Sequence, residues 1–159
     1  MTRPRLLIAC VGNIFLGDDA FGVEVAQRLA AAELPPEVRV ADFGIRGLHL
    51  AYDLLEGGYD TTILLDATPR GGKPGTLYLI EPDLSSETMG PADAHAMNPE
   101  AVLAALRALG GRPGRVLVLG CEPESVEESM GLSEPVAGAV DEAVRMVREV
   151  VARERAKGG

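Results

Sequence analysis

The strongest constraint on this chain is the alternation of short apolar runs with amphipathic segments along almost its whole length. Arg5 to Val11 is an apolar run that stops at Gly12 and reads as a fully buried strand. Ala20 to Ala32 sets Phe21, Val25 and Leu29 at the spacing of a helix, ahead of the turn signal Leu34-Pro35-Pro36. Further strands are expected at Glu37 to Asp42, Thr61 to Asp66, Thr76 to Ile80 and Arg115 to Gly120. Helices are expected from about Gly47 to Glu56, at Pro99 to Leu109 behind an Asn98 cap, and from about Glu134 to Ala156 behind Ser133. Val136, Val140, Val144 and Val147 mark the apolar face of the last helix. Only nine residues, ATPRGGKPG, separate the third strand from the fourth. A parallel crossover needs about a dozen, so the fourth strand should run antiparallel to the third if the two share a sheet. The pattern predicts a three-layer α/β/α domain with a mostly parallel five-stranded sheet, one strand antiparallel, and helices on both faces.

Size and charge limit what such a domain does. The 159 residues are enough for one core, so residues 1–159 are expected to form a single domain whose end, from about residue 152, frays. Lys and Arg total 15 against 24 Asp and Glu, a net charge of -9 that argues against a nucleic acid partner held by phosphate neutralisation. Most of that charge is read as a solvated surface. Cys10 and Cys121 make no disulfide framework and no zinc-type pair, and both are read as small buried residues at strand ends. The apolar run LLIACV is too short for a signal peptide or a membrane span, so no membrane insertion and a cytoplasmic location are expected.

Ligands of open α/β sheets bind beyond the carboxyl ends of the strands. The residues delivered there are Gly12-Asn13 through Asp18-Asp19, Asp42 through Gly47, Asp66, and Cys121-Glu122-Pro123. Gly12, Gly17 and Gly22 are five apart and do not match a dinucleotide fingerprint, and two carboxylates at a helix start would repel a pyrophosphate. Successive residues of a helix point about 100° apart, so one of Asp18 and Asp19 should face the crevice while the other caps the helix or meets solvent. Asp66 closes the run TTILLD, where a carboxylate either turns the chain or belongs to a site. His95, in DAHAMNP, is either an exposed loop residue or a ligand, and His49 has the same two readings. Carboxylates with an imidazole suit a borderline divalent ion such as nickel, zinc or cobalt, and an incomplete set leaves positions for substrate or water.

Five segments resemble, in order and spacing, the blocks of the hydrogenase maturation proteases, which trim the large subunit of nickel-iron hydrogenases. They are GNIFLGDDAFG, DFGIRGLHLAYDLL, LLDAT, DAHAMNPEAVLAAL and GCEPESVEESMGLSEPV, and the resemblance runs from Leu6 to about Val144. It implies an endopeptidase that removes the C-terminal extension of a nickel-loaded large-subunit precursor. It places the family's metal-contacting and catalytic positions on Asp19, Asp66 and His95, with no separate cofactor-binding residues. The nickel is implied to arrive with the substrate, and another divalent ion could take its place in the isolated protein. The family often has glycine where Cys10 stands and a Gly-Thr pair where Gly44-Ile45 stands. A non-catalytic nickel-binding or assembly factor of the same fold is the rival expectation, and a small-molecule binding domain whose acidic residues only cap helices is a third.

Overall fold

A computed structural model of the chain describes residues 4–10, 17–42, 58–81, 114–127 and 130–157. Five strands, β1 (Leu6–Cys10), β2 (Val38–Asp42), β3 (Thr61–Ala67), β4 (Leu77–Ile80) and β5 (Arg115–Cys121), form one sheet in the order β2-β1-β3-β5-β4. The first three and β5 are parallel, and β4 pairs antiparallel with β5. The composition of each strand follows from its place. β1, β3 and β5 are central and buried on both faces, so LLIAC, TTILLDA and RVLVLGC are almost continuously apolar. The edge strands β2 and β4 are only partly buried and carry Arg39, Tyr78 and the exposed Leu79.

Helix α1 (Phe21–Ala31) follows a 3-10 turn at Gly17–Ala20, and α2 is Glu134–Ala156. Alternate residues of the central strands, among them Leu6, Ile8, Ile63, Leu65, Leu117 and Leu119, meet Phe21, Val25 and Leu29 of α1 and Val136, Val140 and Val147 of α2. Arg28 of α1 also pairs with Asp141 of α2. On the opposite face Leu7, Leu64 and Val116 are equally buried, so the sheet is covered on both sides. Fully burying each large aliphatic side chain contributes about 1.5–3 kcal/mol, which makes these three strands the main source of stability. No helix among the described residues is long and apolar enough to cross a membrane.

Two expectations are modified. The fourth strand does run opposite to β3, but it pairs with β5, so the short connection from β3 passes over β5 to reach the sheet edge. Ser133 is the N-cap of α2 as expected, but it makes no side-chain cap bond and its hydroxyl donates to Asp18. Helix α2 runs to Ala156, as the sequence led one to expect. Glu154 is buried against Arg115 at 3.1 Å and Arg155 pairs with Glu37 at 2.9 Å, so these last turns are tied to the body of the sheet. The helices expected at Gly47 to Glu56 and Pro99 to Leu109 lie outside the described residues.

Candidate active site

The chain leaves β1 for β2 on one side and later returns to pair β3 on the other, so neighbouring connections diverge between β1 and β3. A divergence of this kind opens a crevice at the carboxyl ends of the strands. Cys10, Asp42 and Leu65 share one level of the register there, and Asp66 stands one residue beyond, opposite Gly120 of β5. Gly120 has to lack a side chain: a Cβ would lie 2.1 Å from Oγ1 of Thr68, which folds back over the strand end. The Thr68 amide donates to the Cys121 carbonyl at 2.9 Å, which fixes the chain just after Asp66.

Asp19 lies near enough to Asp66 for its charge to act on it. Asp66 is buried at 7% exposure, and Asp19, in the turn ahead of α1, is partly buried. Burial first, and the nearby charge of Asp19 second, push the Asp66 carboxyl up to about 8, against a weaker opposing bond from the Ala67 amide. Asp66 is therefore largely protonated at neutral pH. A pair of this sort offers one carboxylate and one carboxylic acid, or two anionic ligands once a cation displaces the proton. His95 and His49 lie outside the described residues, and among the described residues no group of three or more His, Cys, Asp or Glu side chains gathers as a ligand cluster.

Asp18 neither caps its helix nor meets solvent, contrary to the expectation for the second aspartate. It is 1% exposed and accepts hydrogen bonds from the Ser133 amide at 2.7 Å, the Glu124 amide at 2.7 Å, the Ser125 amide at 3.1 Å and the Ser133 hydroxyl at 2.8 Å. Burial pushes its carboxyl up, but the bonds from Ser133, Ser125 and Glu124 together outweigh burial and hold it below the usual carboxylate range. Glu122 does similar work on the other side. Its Oε1 accepts from the amides of Arg70 and Gly72 and from the Tyr78 hydroxyl, each at 2.8 Å, so the connection from β3 to β4 wraps around it. The bonds from Arg70 and Tyr78 hold the Glu122 carboxyl below its ordinary range, and the same bond raises the Tyr78 phenol above its own. Local sequence carries no signal for either role, because the partners lie far along the chain.

Neither cysteine is placed to attack a substrate. Cys10 is wholly buried, and burial, with the charges of Asp18 and Glu122 added, pushes the Cys121 thiol up to about 12. What remains is the acidic pair.

A mostly parallel α/β sheet with paired carboxylates at its crevice defines a class of proteins that bind or cleave at the strand ends without a cysteine nucleophile. Within that class the chain belongs to the hydrogenase maturation protease family, whose model matches residues 23–150, a stretch that begins just after Asp19 and spans Asp66 and His95. The hydrogenase expression/formation protein HupD of Rhizobium leguminosarum bv. viciae is 34% identical, over 91% of this chain and 75% of its own length. The hydrogenase 2 maturation protease of Escherichia coli is 32% identical, over 90% of this chain and 88% of its own. Among solved structures, the hydrogenase maturating endopeptidase HybD from E. coli superposes with a TM-score of 0.77 at 28% identity, covering 94% of this chain and 93% of that one. Membership makes the chain a peptidase, a hydrolase of peptide bonds.

Proposed function

We propose that the protein removes the C-terminal extension of a nickel-loaded nickel-iron hydrogenase large-subunit precursor in the cytoplasm, and that Asp19, Asp66 and His95 complete the coordination of the nickel the precursor carries. The observation that supports this reading is the acidic pair itself. Asp66 is buried, is pushed up to about 8 in part by Asp19, and stands at the divergence of β1 and β3. A buried carboxylic acid beside a carboxylate gains most from a divalent ion, which compensates both charges and releases the proton from Asp66. Precursor without nickel offers no such compensation, so metal loading would govern docking.

Coordination of that kind would hold the scissile peptide next to the pair, where orientation supplies much of the rate. Hydrolysis adds one water across the C–N bond: its oxygen goes to the carbonyl carbon and its protons end on the new carboxyl and amine groups. A carboxylate of the pair and a water polarised by the precursor's nickel are the two candidates for activating the nucleophile.

The test is the mass of the precursor after incubation with the purified protein. Nickel-loaded precursor should be shortened and nickel-free precursor left intact, and Asp19→Asn and Asp66→Asn should each abolish shortening. Cleavage at the wild-type rate by the double variant would remove the ligand assignment. Binding without any change of precursor mass would favour the non-catalytic assembly factor.

A further inference from the structure

Asp18 invests a buried, ionised side chain in four hydrogen bonds, and all of them go to one connection, the segment between β5 and α2. Its own amide donates to the Ser125 carbonyl at 2.9 Å, so residue 18 is held from both its backbone and its side chain. Ser133 contributes its amide and its hydroxyl, and its side chain makes no cap bond to α2. Stability of α1 alone does not require this arrangement, because the donors come from another part of the chain and none belongs to α1.

The neighbouring residue explains it better. Asp19 follows Asp18 within the single turn Gly17–Ala20, so whatever fixes the backbone of residue 18 also fixes the origin of the Asp19 side chain. The clamping segment leaves β5 directly after Cys121, and β5 lies beside Asp66 in the register. Asp18 therefore references the position of Asp19 to the strand that neighbours Asp66, rather than to the helix in which α1 continues.

We propose that Asp18 is a positioning residue for precursor processing, holding Asp19 against Asp66 through Glu124, Ser125 and Ser133. This rests on the processing reading above. Displacement of a reacting or coordinating group by about 1 Å can cost on the order of 100-fold, so Asp18→Asn, which replaces an acceptor oxygen by a donor, should lower kcat/KM for nickel-loaded precursor by roughly 10–100-fold. Ser133→Ala removes only the hydroxyl bond and should cause a smaller loss, under about tenfold.

The deciding experiment combines these variants with Asp19→Asn and reads precursor affinity in both backgrounds, and kcat/KM where Asp19 is intact, at a temperature where circular dichroism shows every variant folded. If Asp18 acts through Asp19, its substitution costs nothing further once Asp19→Asn is present. A purely structural Asp18 would cost the same factor in both backgrounds, and that additivity overturns the proposal, as does wild-type kcat/KM in folded Asp18→Asn. Should Asp18→Asn not fold, Ser133→Ala decides by the same two criteria. Amide exchange supplies an independent readout: the amides of Glu124, Ser125 and Ser133 should be protected in the wild type and exposed together in Asp18→Asn. Failure of the wild-type protein to bind or shorten the precursor would refute the processing reading instead, and the exchange result would still report on the clamp.

Discussion

Gly22 marks a close approach of α1 to the sheet, and its replacement by alanine pits two known effects against each other. A Cβ built there meets the Leu65 carbonyl oxygen at 2.6 Å, the Leu65 carbonyl carbon at 3.1 Å and Cβ of Cys10 at 3.1 Å. Leu65 belongs to a central strand hydrogen-bonded on both sides, so its backbone cannot yield. The helix must retreat instead, by about 0.8 Å if the closest contact is to relax to an ordinary 3.4 Å. Overpacking of this kind costs about 1–3 kcal/mol, whereas alanine gains at most ~1 kcal/mol over glycine in a helix. The clash wins, and Gly22→Ala should lose about 1–2 kcal/mol, or roughly 3–8 °C in Tm for a chain of this length. Gly138, in α2, supplies the control, since a Cβ there meets nothing within 4 Å and Gly138→Ala should gain about 0.5–1 kcal/mol. Thermal and urea unfolding of the two variants, run beside the wild type, measure both signs. An unchanged or raised Tm for Gly22→Ala would refute the close approach of α1 to β3.

Three other outcomes are expected. The folded protein holds the Asp66 proton up to about 8 whereas the unfolded chain releases it near 3.8, so stability is full below the lower value and is lost as pH rises to the higher one. Asp66→Asn should match the wild type near pH 4 and exceed it by up to ~4 kcal/mol at pH 7, and a gap that does not widen with pH, measured by urea unfolding, would contradict the burial of this acid. Glu122→Gln should lower the titration midpoint of Tyr78, read from phenolate absorbance, because the bond from Tyr78 to the Glu122 carboxylate is the first cause of its raised value. Cys121, pushed up to about 12, should resist alkylation in the native protein at pH 8 and react only on unfolding, as followed by mass spectrometry.

The parts of the fold that were legible in the sequence are those whose signals are local. LLIAC and TTILLDA announce central strands because burial on both faces removes all alternation, and Phe21, Val25 and Leu29 announce a helix face because they recur at its period. The direction of β4 followed from the length of its connection, but its partner did not, because nine residues are long enough to step over a strand that has not yet appeared in the chain. Asp66 could be singled out from its place at a strand end. The burial of Asp18 required the structure, since the bonds that hold it come from residues more than a hundred positions away. Ser133 stands at the N-cap as expected, and only the structure shows that its hydroxyl donates to the distant Asp18 and makes no side-chain cap bond.

The distance along the chain that these bonds span sets when the site can form. Asp18 is separated from Glu124, Ser125 and Ser133 by 106, 107 and 115 residues. Glu122 likewise waits behind Arg70, Gly72 and Tyr78, by 52, 50 and 44 residues. While the chain is being synthesised, Asp19 and Asp66 emerge well before Glu124, Ser125 and Ser133, the partners of Asp18. Closing loops of this length is slow relative to forming a helix. A nascent chain that has not reached residue 124 thus carries both acids without the partners that hold Asp18.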